Sequence, residues 1–268
     1  MGNITKVIAI TSGKGGVGKS TISANLAYAL YKLGFKVALF DADIGLANLD
    51  ILLKVKAKKT ILDVLKGKAE FKDIVLTIEN GFYLIPGESG DEILNFDDKE
   101  IYDKFIEGLK LFNDLDFLIV DTGAGIDKQV QIFLDAADEV VIVTAPEPTS
   151  ITDSYTMIKI LSKKRKRLFL LLNLVDNQKE ANLIYQKLSK VAKENISPDL
   201  VIQLIGFLKR DKKIQKASLS RTLFSRENSH SSKQIFLIAK KLAHILERKV
   251  LMENETGLNR FFKKILKF

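Results

Sequence analysis

The sequence predicts a doubly wound α/β fold, in which helices cover both faces of a mostly parallel β-sheet. Short apolar runs recur along the 268 residues, and most are apolar on both sides, as is typical of buried parallel strands. Helix-period segments lie between them, and this alternation predicts right-handed strand–helix–strand crossovers. The predicted strands are 6–11, 36–41, 82–87, 116–121, 139–146, 167–175 and 201–207. The predicted helices are 19–33, 97–112, 127–136, 149–163, 177–193 and 229–247.

The first strand leads directly into a glycine-rich loop and a helix. Residues 12–21 read SGKGGVGKST, and residues 13–20 fit the phosphate-loop pattern G-x-x-x-x-G-K-[ST] without a mismatch. Glycines let backbone N–H groups point at phosphate oxygens, and the helix N-terminus adds a favourable dipole. We expect Lys19 to contact the outer phosphates, Ser20 to bind Mg²⁺ and Thr21 to reach an inner phosphate. The predicted nucleotide-binding residues of this loop are Gly13, Lys14, Gly15, Gly16, Val17, Gly18, Lys19, Ser20 and Thr21.

Three aspartates follow strands that should border this loop. Asp41 and Asp43 stand at the end of the second strand in ALFDADIGLANLD (38–50), and Asp121 ends the buried run FLIVD before a small-residue loop. Ligands meet open α/β sheets at the carboxyl ends of the strands. A carboxylate there is suited to hold Mg²⁺ or its water. The predicted metal-binding residues are Ser20, Asp41 and Asp121.

With its early lysine, KGGVGKST resembles the deviant Walker A motif of the MinD/ParA group of P-loop ATPases. The resemblance implies a homodimer that sandwiches ATP, in which Lys14 reaches the phosphates bound by the partner subunit. It also implies that Asp43 orients the attacking water, that Asp41 supports the metal shell and that Asp121 takes the Walker B position. The predicted catalytic residues are therefore Lys14, Lys19 and Asp43. A solvated loop lysine is the alternative for Lys14.

Three short stretches point to one subgroup within the MinD/ParA group. DADIGLANLD, DTGAGI and TAPEPTSITDSY (144–155) resemble the flagellar FlhG family within this group. That resemblance implies a regulator of flagellar number or placement. Its partners would be a flagellar signal-recognition-type GTPase and flagellar switch (C-ring) proteins. One departure lies in GFLKRD (206–211), where Lys209 replaces the usual proline of a loop that walls the adenine.

The base of the nucleotide is predicted from LLNLVD (171–176). Family resemblance implies that Asn173, at a strand end, contacts adenine. Asn173 and Asp176 also have the spacing of the guanine-reading motif N-K-x-D, but Leu174 replaces its lysine. ATP with Mg²⁺ is therefore the expected ligand.

The last twelve residues, GLNRFFKKILKF (257–268, called the tail from here on), differ from the rest of the chain. On a helix, an apolar stripe would stand opposite a basic face. A helix this short is marginal alone in water, and its two faces suit an anionic membrane interface. The alternative is a terminal helix packed permanently on the domain. The predicted membrane-binding residues are Leu258, Phe261, Phe262, Ile265, Leu266, Arg260, Lys263, Lys264 and Lys267.

The tail would connect to the nucleotide site through dimerisation. If ATP drives dimerisation, two tails act together through their effective concentration, and hydrolysis reverses the attachment. We therefore expect a P-loop ATPase domain over 1–250 and a hinge with a membrane-targeting helix over 251–268. The stretch MENETG (252–257) would be the hinge. The expected location is cytoplasmic, reversibly peripheral on the inner face of the cell membrane.

The charge of the chain is concentrated in two places. Its net charge is +9, and the run KKRKR (163–167) together with the tail accounts for that excess. A solvated basic corner is the expected role of KKRKR, while contact with anionic lipid or nucleic acid is the alternative. The sequence contains no cysteine, which excludes disulfides, thiolate zinc sites and iron–sulfur clusters.

The function expected from these features is an ATP-dependent, dimerising, membrane-associating switch for flagellar number or placement. Its hydrolysis should be slow without a partner, because no arginine finger is evident. A MinD-like cell-division-site regulator and a ParA-like DNA-partitioning ATPase are the alternatives within the group. An electron-transfer enzyme such as the nitrogenase iron protein is an alternative from a different functional class, and the absence of cysteine argues against it. Asp43 argues against a scaffold without turnover.

Overall fold

The apolar runs of the sequence form the strands of one sheet. The computed structural model describes residues 5–43, 48–87, 107–109, 112, 114–247, 261–262 and 264–265. Within these ranges the strands are β1 (Lys6–Ser12), β2 (Val37–Ala42), β3 (Leu76–Glu79), β4 (Phe82–Ile85), β5 (Phe117–Ala124), β6 (Glu139–Thr144), β7 (Arg167–Val175) and β8 (Val201–Lys209). Their order is β3-β4-β2-β5-β1-β6-β7-β8, and all pairs are parallel except β3 with β4.

Helices cover both faces of this sheet. They are α1 (Lys19–Lys32), α2 (Leu49–Leu53), α3 (Ile61–Leu65), α4 (Phe71–Ile74), α5 (Lys128–Ala136), α6 (Pro148–Leu161), α7 (Gln178–Asn195), α8 (Lys212–Leu219) and α9 (His230–Glu247). Local sequence explains where several begin. Asp127, Asn177 and Asp211 accept backbone N–H bonds at the starts of α5, α7 and α8.

The predicted fold class is confirmed: an eight-stranded, mostly parallel sheet lies between two apolar layers. One layer contains α1 and α9, and the other contains α3 to α7. The sequence reading missed β3 and the short helices α2, α3, α4 and α8. These elements are four to eight residues long, too short to show a clear period. The helix predicted over 97–112 lies largely outside the described residues.

The run KKRKR is largely engaged in local contacts just after α6. The Arg165 guanidinium donates to the carbonyl oxygens of Leu134, Ala137 and Asp138, at distances of 2.5 to 2.8 Å, and so caps the end of α5. Nearby, Lys164 forms an ion pair with Asp135 at 2.5 Å, and Arg167 forms one with Glu139. Three of the five cations therefore contact the domain, and Arg165 does so most extensively.

Three apolar side chains of the tail pack into the domain. Phe261, Phe262 and Ile265 are buried in the layer that contains α3, α4 and α5. The Phe262 ring lies 5.8 Å from the Phe40 ring and 6.4 Å from the Phe71 ring, measured between centroids. The Phe261 ring stacks on Phe133 at 6.5 Å. These contacts define the tail seat, a site formed by Phe40, Phe71 and Phe133 and occupied by Phe261, Phe262 and Ile265.

The described part of the tail is amphipathic, because Lys264 is exposed while its three apolar neighbours are buried. The structure thus has the packing that the sequence left as the alternative for the tail. The other predicted membrane residues, Leu258, Arg260, Lys263, Leu266 and Lys267, lie outside the described residues. Across the ranges that the structure describes, none of the helices combines the length and apolarity needed to span a bilayer.

Candidate functional site

The phosphate loop lies between the end of β1 at Ser12 and the start of α1 at Lys19, as the sequence predicts. Gly16 and Gly18 have φ angles of 82° and 87°, in the left-handed region that favours glycine. A Cβ atom at Gly18 would also come within 2.6 Å of Asn173 Nδ2. The loop borders a cavity of about 900 Å³, which is large enough for a nucleotide.

The cavity opens at the carboxyl ends of the central parallel strands, where open α/β sheets bind ligands. Of the predicted site residues, it is lined by Gly15, Gly16, Gly18, Lys19, Ser20, Thr21, Asp43 and Asn173. Val17 instead buries its side chain in the core, and its carbonyl oxygen accepts a hydrogen bond from Asn173 Nδ2 at 2.8 Å. Gly13 packs closely against the backbone of Asp153 in α6. The loop glycines thus divide between lining the cavity and fitting the loop to the domain.

The Lys19 ammonium group neutralises the acidic side of the cavity. Lys19 is 7% exposed, and its Nζ donates to Asp121 Oδ1 at 2.9 Å and lies 3.8 Å from Asp43 Oδ2. Ser23, one helical turn after Lys19, donates to the same Asp121 oxygen at 2.8 Å. The structure therefore brings Lys19, Asp43 and Asp121 together as the sequence predicts.

Asp41 uses its carboxylate to hold the start of α2. Its Oδ2 accepts the backbone N–H groups of Asn48 and Leu49 at 3.0 and 3.1 Å. Burial raises the pKa of Asp41 to about 7, although these backbone bonds oppose the shift. Like Asp121, Asp41 does not line the cavity, so the metal-binding roles of both residues stay predictions.

Asp43 is less buried than Asp41 and faces the cavity directly. Desolvation raises its pKa, and the positive charge of Lys19 acts in the opposite direction. A carboxylate in this position can hold a water molecule near a bound phosphate chain.

The donor set fits a magnesium ion that arrives with phosphate oxygens. Ser20 lines the cavity, and Asp121 Oδ2 is buried without a hydrogen-bond partner among the described residues. Nowhere in the described ranges do three or more His, Cys, Asp or Glu side chains form a group that could hold a metal alone. Mg²⁺ is usually bound through one or two protein ligands plus phosphates and waters, which matches this arrangement.

Lys14 stands apart from the cavity that Lys19 enters. Its side chain is 43% exposed, and its Nζ donates to Thr149 Oγ1 at 3.0 Å and lies 3.5 Å from Glu147 Oε2. Both partners stand at the start of α6. Lys14 is therefore held on the outside of its own loop.

The base end of the cavity combines an amide with apolar side chains. Asn173 is buried, and its Oδ1 has no partner within the described part of the chain, so it can accept a hydrogen bond from a ligand. Leu174 beside it has a φ of 60°, an uncommon value for a leucine. Ile214 and Leu219 of α8 also line the cavity.

The sequence reading missed several residues of this site. Ser23 stands four residues after Lys19 on α1, so helical spacing could have identified it. Glu147 and Thr149 lie in the quoted stretch TAPEPTSITDSY, but nothing in their spacing linked them to Lys14. The residues of α8 lie more than 190 positions from the phosphate loop, and only the fold brings them to the cavity.

The fold and this site define a P-loop nucleotide-binding protein. A ParA family model described as the NUBPL iron-transfer P-loop NTPase matches residues 3–243. The chain is 48% identical over 267 residues to the flagellum site-determining protein YlxH of Helicobacter pylori, covering 98% of this chain and 90% of the relative. It is 40% identical over 215 residues to the antiactivator FleN of Pseudomonas aeruginosa, covering 79% of this chain and 76% of FleN.

A solved structure supports the same assignment. The septum site-determining protein MinD of Pyrococcus horikoshii, complexed with Mg-ADP, has a TM-score of 0.72 and 25% identity. The match covers 93% of this chain and all of that one. The chain belongs to the ParA/MinD-type P-loop NTPase family, whose members are ATPases, and the resemblance drawn from its motifs is confirmed.

Proposed function

We propose that this chain is an ATP-dependent, dimerising ATPase switch that associates reversibly with the membrane and regulates flagellar number or placement. The flagellar part rests on the relatives named a flagellum site-determining protein and an antiactivator. The observation that carries the switch is the separation of the two loop lysines. Lys19 is buried at the phosphate site, while Lys14 is exposed outside it.

ATP is the proposed ligand of the cavity. The loop N–H groups and Lys19 would bind its phosphates, and Ser20 and Asp121 would hold the accompanying Mg²⁺. Asn173 Oδ1 would accept a hydrogen bond from the adenine amino group, which guanine does not offer at that position. When bound, the metal would neutralise charge that develops on the phosphates during hydrolysis.

Asp43 would orient the water that attacks the γ-phosphate, giving ADP and inorganic phosphate. No arginine lines the cavity among the described residues. Arginine fingers supply a large part of the rate in P-loop NTPases. Slow hydrolysis until a partner completes the site follows from this arrangement.

Dimerisation would move Lys14 from Glu147 and Thr149 to the phosphates of a second copy. The bond to Thr149 is a single exposed hydrogen bond, and the contact with Glu147 is a long ion pair between exposed groups. Exposed pairs of this kind contribute about 0–1 kcal/mol, so the present position of Lys14 is easily exchanged. A phosphate chain carries more negative charge than one glutamate and can outcompete it.

The membrane step would exchange the tail seat for a lipid surface. Burying each of Phe261, Phe262 and Ile265 contributes about 1.5–3 kcal/mol, and the apolar part of a bilayer interface offers a comparable gain. The two positions are therefore close in apolar energy. Anionic lipid adds about 1 kcal/mol per Lys or Arg near the surface, which is large enough to decide between them. Two tails in a dimer would then act together.

Within the family, a DNA-partitioning role is less well supported. It would use KKRKR, in which Lys164, Arg165 and Arg167 are engaged with the domain itself. Fewer positive charges of KKRKR are therefore available to contact the phosphates of DNA. A MinD-like role in cell division would use the same switch with other partners. A flagellar signal-recognition-type GTPase and flagellar switch (C-ring) proteins are the partners we propose, with the chain peripheral on the inner membrane face.

Sedimentation with liposomes that contain anionic lipid tests this function. Wild type should co-sediment with ATP and not with ADP. Lys14→Ala should lose the binding seen with ATP, whereas Asp43→Ala, which hydrolyses ATP slowly, should keep it. Phe261 is fully buried, so Phe261→Asp would also disturb the fold. Lys264→Glu avoids this problem, and removing one attraction and adding one repulsion should weaken binding by about 30-fold per tail.

Lys240→Glu on the exposed face of α9 is the matched control, because it makes the same charge change far from the tail along the chain. It should leave liposome binding unchanged. Equal liposome binding of wild type with both nucleotides contradicts the switch. Tight binding to duplex DNA that disappears when Lys163 and Lys166 are neutralised would favour the partitioning function.

A further inference from the structure

The Lys19 ammonium group stands among the oxygens that would otherwise receive a metal ion. Its Nζ lies 2.9 Å from Asp121 Oδ1, 3.5 Å from Ser20 Oγ and 3.8 Å from Asp43 Oδ2. Two of these side chains are the proposed metal ligands, and the third faces the same cavity. Lys19 thus already supplies a positive charge at this point of the site.

The burial of Asp121 explains why a cation is needed there. Asp121 is 1% exposed, and a buried carboxylate is strongly unfavourable unless it is paired and hydrogen-bonded. Lys19 forms an ion pair with its Oδ1, and Lys19 and Ser23 both donate hydrogen bonds to that oxygen. Lys14, the other lysine of the loop, points away to Glu147 and Thr149 and does not share this task.

A divalent metal and this ammonium group would compete for the same carboxylate, that of Asp121. Magnesium binds oxygen at about 2.0–2.1 Å. Since Nζ is 2.9 Å from Asp121 Oδ1, a metal on that oxygen would lie within about 5 Å of the ammonium group. Charges this close in a partly buried site repel strongly.

We propose that Lys19 acts as a resident cation that excludes free divalent metal from the site until nucleotide arrives. This inference rests on the proposed ATP·Mg²⁺ site and adds an order of binding to it. The phosphates draw Lys19 away from Asp121, and the same phosphates supply the oxygens that the protein lacks for a complete metal shell. Metal and nucleotide therefore enter together, and the free protein stays without metal at concentrations that saturate the complex.

The test measures Mn²⁺ binding without nucleotide, by the loss of the free Mn²⁺ electron paramagnetic resonance signal. Wild type should bind Mn²⁺ weakly. Lys19→Gln keeps a polar, unbranched side chain but removes the charge, so it should bind one Mn²⁺ at least about tenfold more tightly. Lys14→Gln is the matched control from the same loop and should bind as weakly as wild type. Lys19→Gln combined with Asp121→Asn should lose the gain.

Two results overturn the inference. One is tight binding of a single Mn²⁺ by nucleotide-free wild type, a measurement that needs no variant. The other is a Lys19→Gln protein with wild-type circular dichroism and no gain in Mn²⁺ affinity. If Lys19→Gln does not fold, the wild-type titration decides alone. Titration of wild type with ATP and Mg²⁺ is a separate experiment, so failure of the proposed nucleotide site is distinguishable from failure of this inference.

Discussion

The tail seat makes a prediction about stability that requires no nucleotide or membrane. Phe262 is 1% exposed, and its ring meets Phe40, Phe71 and Phe261 at centroid distances of 5.8, 6.4 and 5.1 Å. Replacing a buried Phe by Ala costs about 3–5 kcal/mol in a core that cannot relax. The tail is terminal and can leave its seat. The loss of stability therefore cannot exceed the free energy that docking of the tail contributes. We therefore expect Phe262→Ala to lower the free energy of unfolding by about 3 kcal/mol, the lower end of that range.

Urea denaturation followed by far-ultraviolet circular dichroism measures this loss, since the chain has no tryptophan to report it. Lys264→Ala is the control from the same helical stretch. It removes an exposed side chain and should change stability by less than about 0.5 kcal/mol. If Phe262→Ala also stays within that limit, the seat is empty in solution and the reasoning fails.

A double-mutant cycle locates the contact. Phe261 stacks on Phe133 at 6.5 Å with an interplanar angle of 27°. Phe261→Ala and Phe133→Ala together should therefore cost about 0.5–1.5 kcal/mol less than the sum of the two single changes. Additive losses would mean that the two rings do not meet in solution.

Three further predictions concern other parts of the molecule. Arg165→Met should lower the free energy of unfolding by about 2–3 kcal/mol, because it leaves the end of α5 uncapped, whereas exposed Lys163→Met should have little effect in the same urea experiment. Asp41 has its pKa raised to about 7 from 3.8, so the folded state holds a proton that the unfolded state releases. Wild type should therefore lose stability relative to Asp41→Asn between about pH 4 and pH 7, by at most about 1.4 kcal/mol per pH unit. A constant difference across that range would exclude Asp41 as the titrating group. Asn173→Ala should weaken ATP binding about tenfold or more in calorimetry and weaken tripolyphosphate binding less, because tripolyphosphate is affected only through the lost bond from Asn173 to the Val17 carbonyl of the loop, whereas an equal loss for both ligands would place Asn173 outside the base contact.

The parts of the fold that the sequence predicted are those with a strong local signal. The runs at 6–11 and 116–121 became adjacent parallel strands, β1 and β5, because apolar residues on both faces require cover on both sides. The position of the phosphate loop between β1 and α1 was predicted, since its glycines and Lys19 follow a fixed spacing. Short elements such as β3 and α8 gave no such signal.

The parts of the site that the sequence did not predict depend on long-range contacts. The pairing of Lys14 with Glu147 joins residues 133 positions apart, and spacing carries no information about it. The tail shows a related limit. Its periodicity predicted that Phe261 and Phe262 face one side and Lys264 the other, but an amphipathic helix has the same pattern whether it lies on a membrane or on its own domain. Only the packing against Phe40, Phe71 and Phe133 distinguishes the two.

The central claim is that Lys14 serves the nucleotide of a second copy, and the mass of the protein in solution tests it most directly. Multi-angle light scattering on the slowly hydrolysing Asp43→Ala background should give a dimer, twice the chain mass of 30.0 kDa, with ATP and a monomer with ADP. Adding Lys14→Ala should leave a monomer with both nucleotides while ATP still binds. A Lys14→Ala protein that dimerises with ATP as fully as its parent would contradict the account.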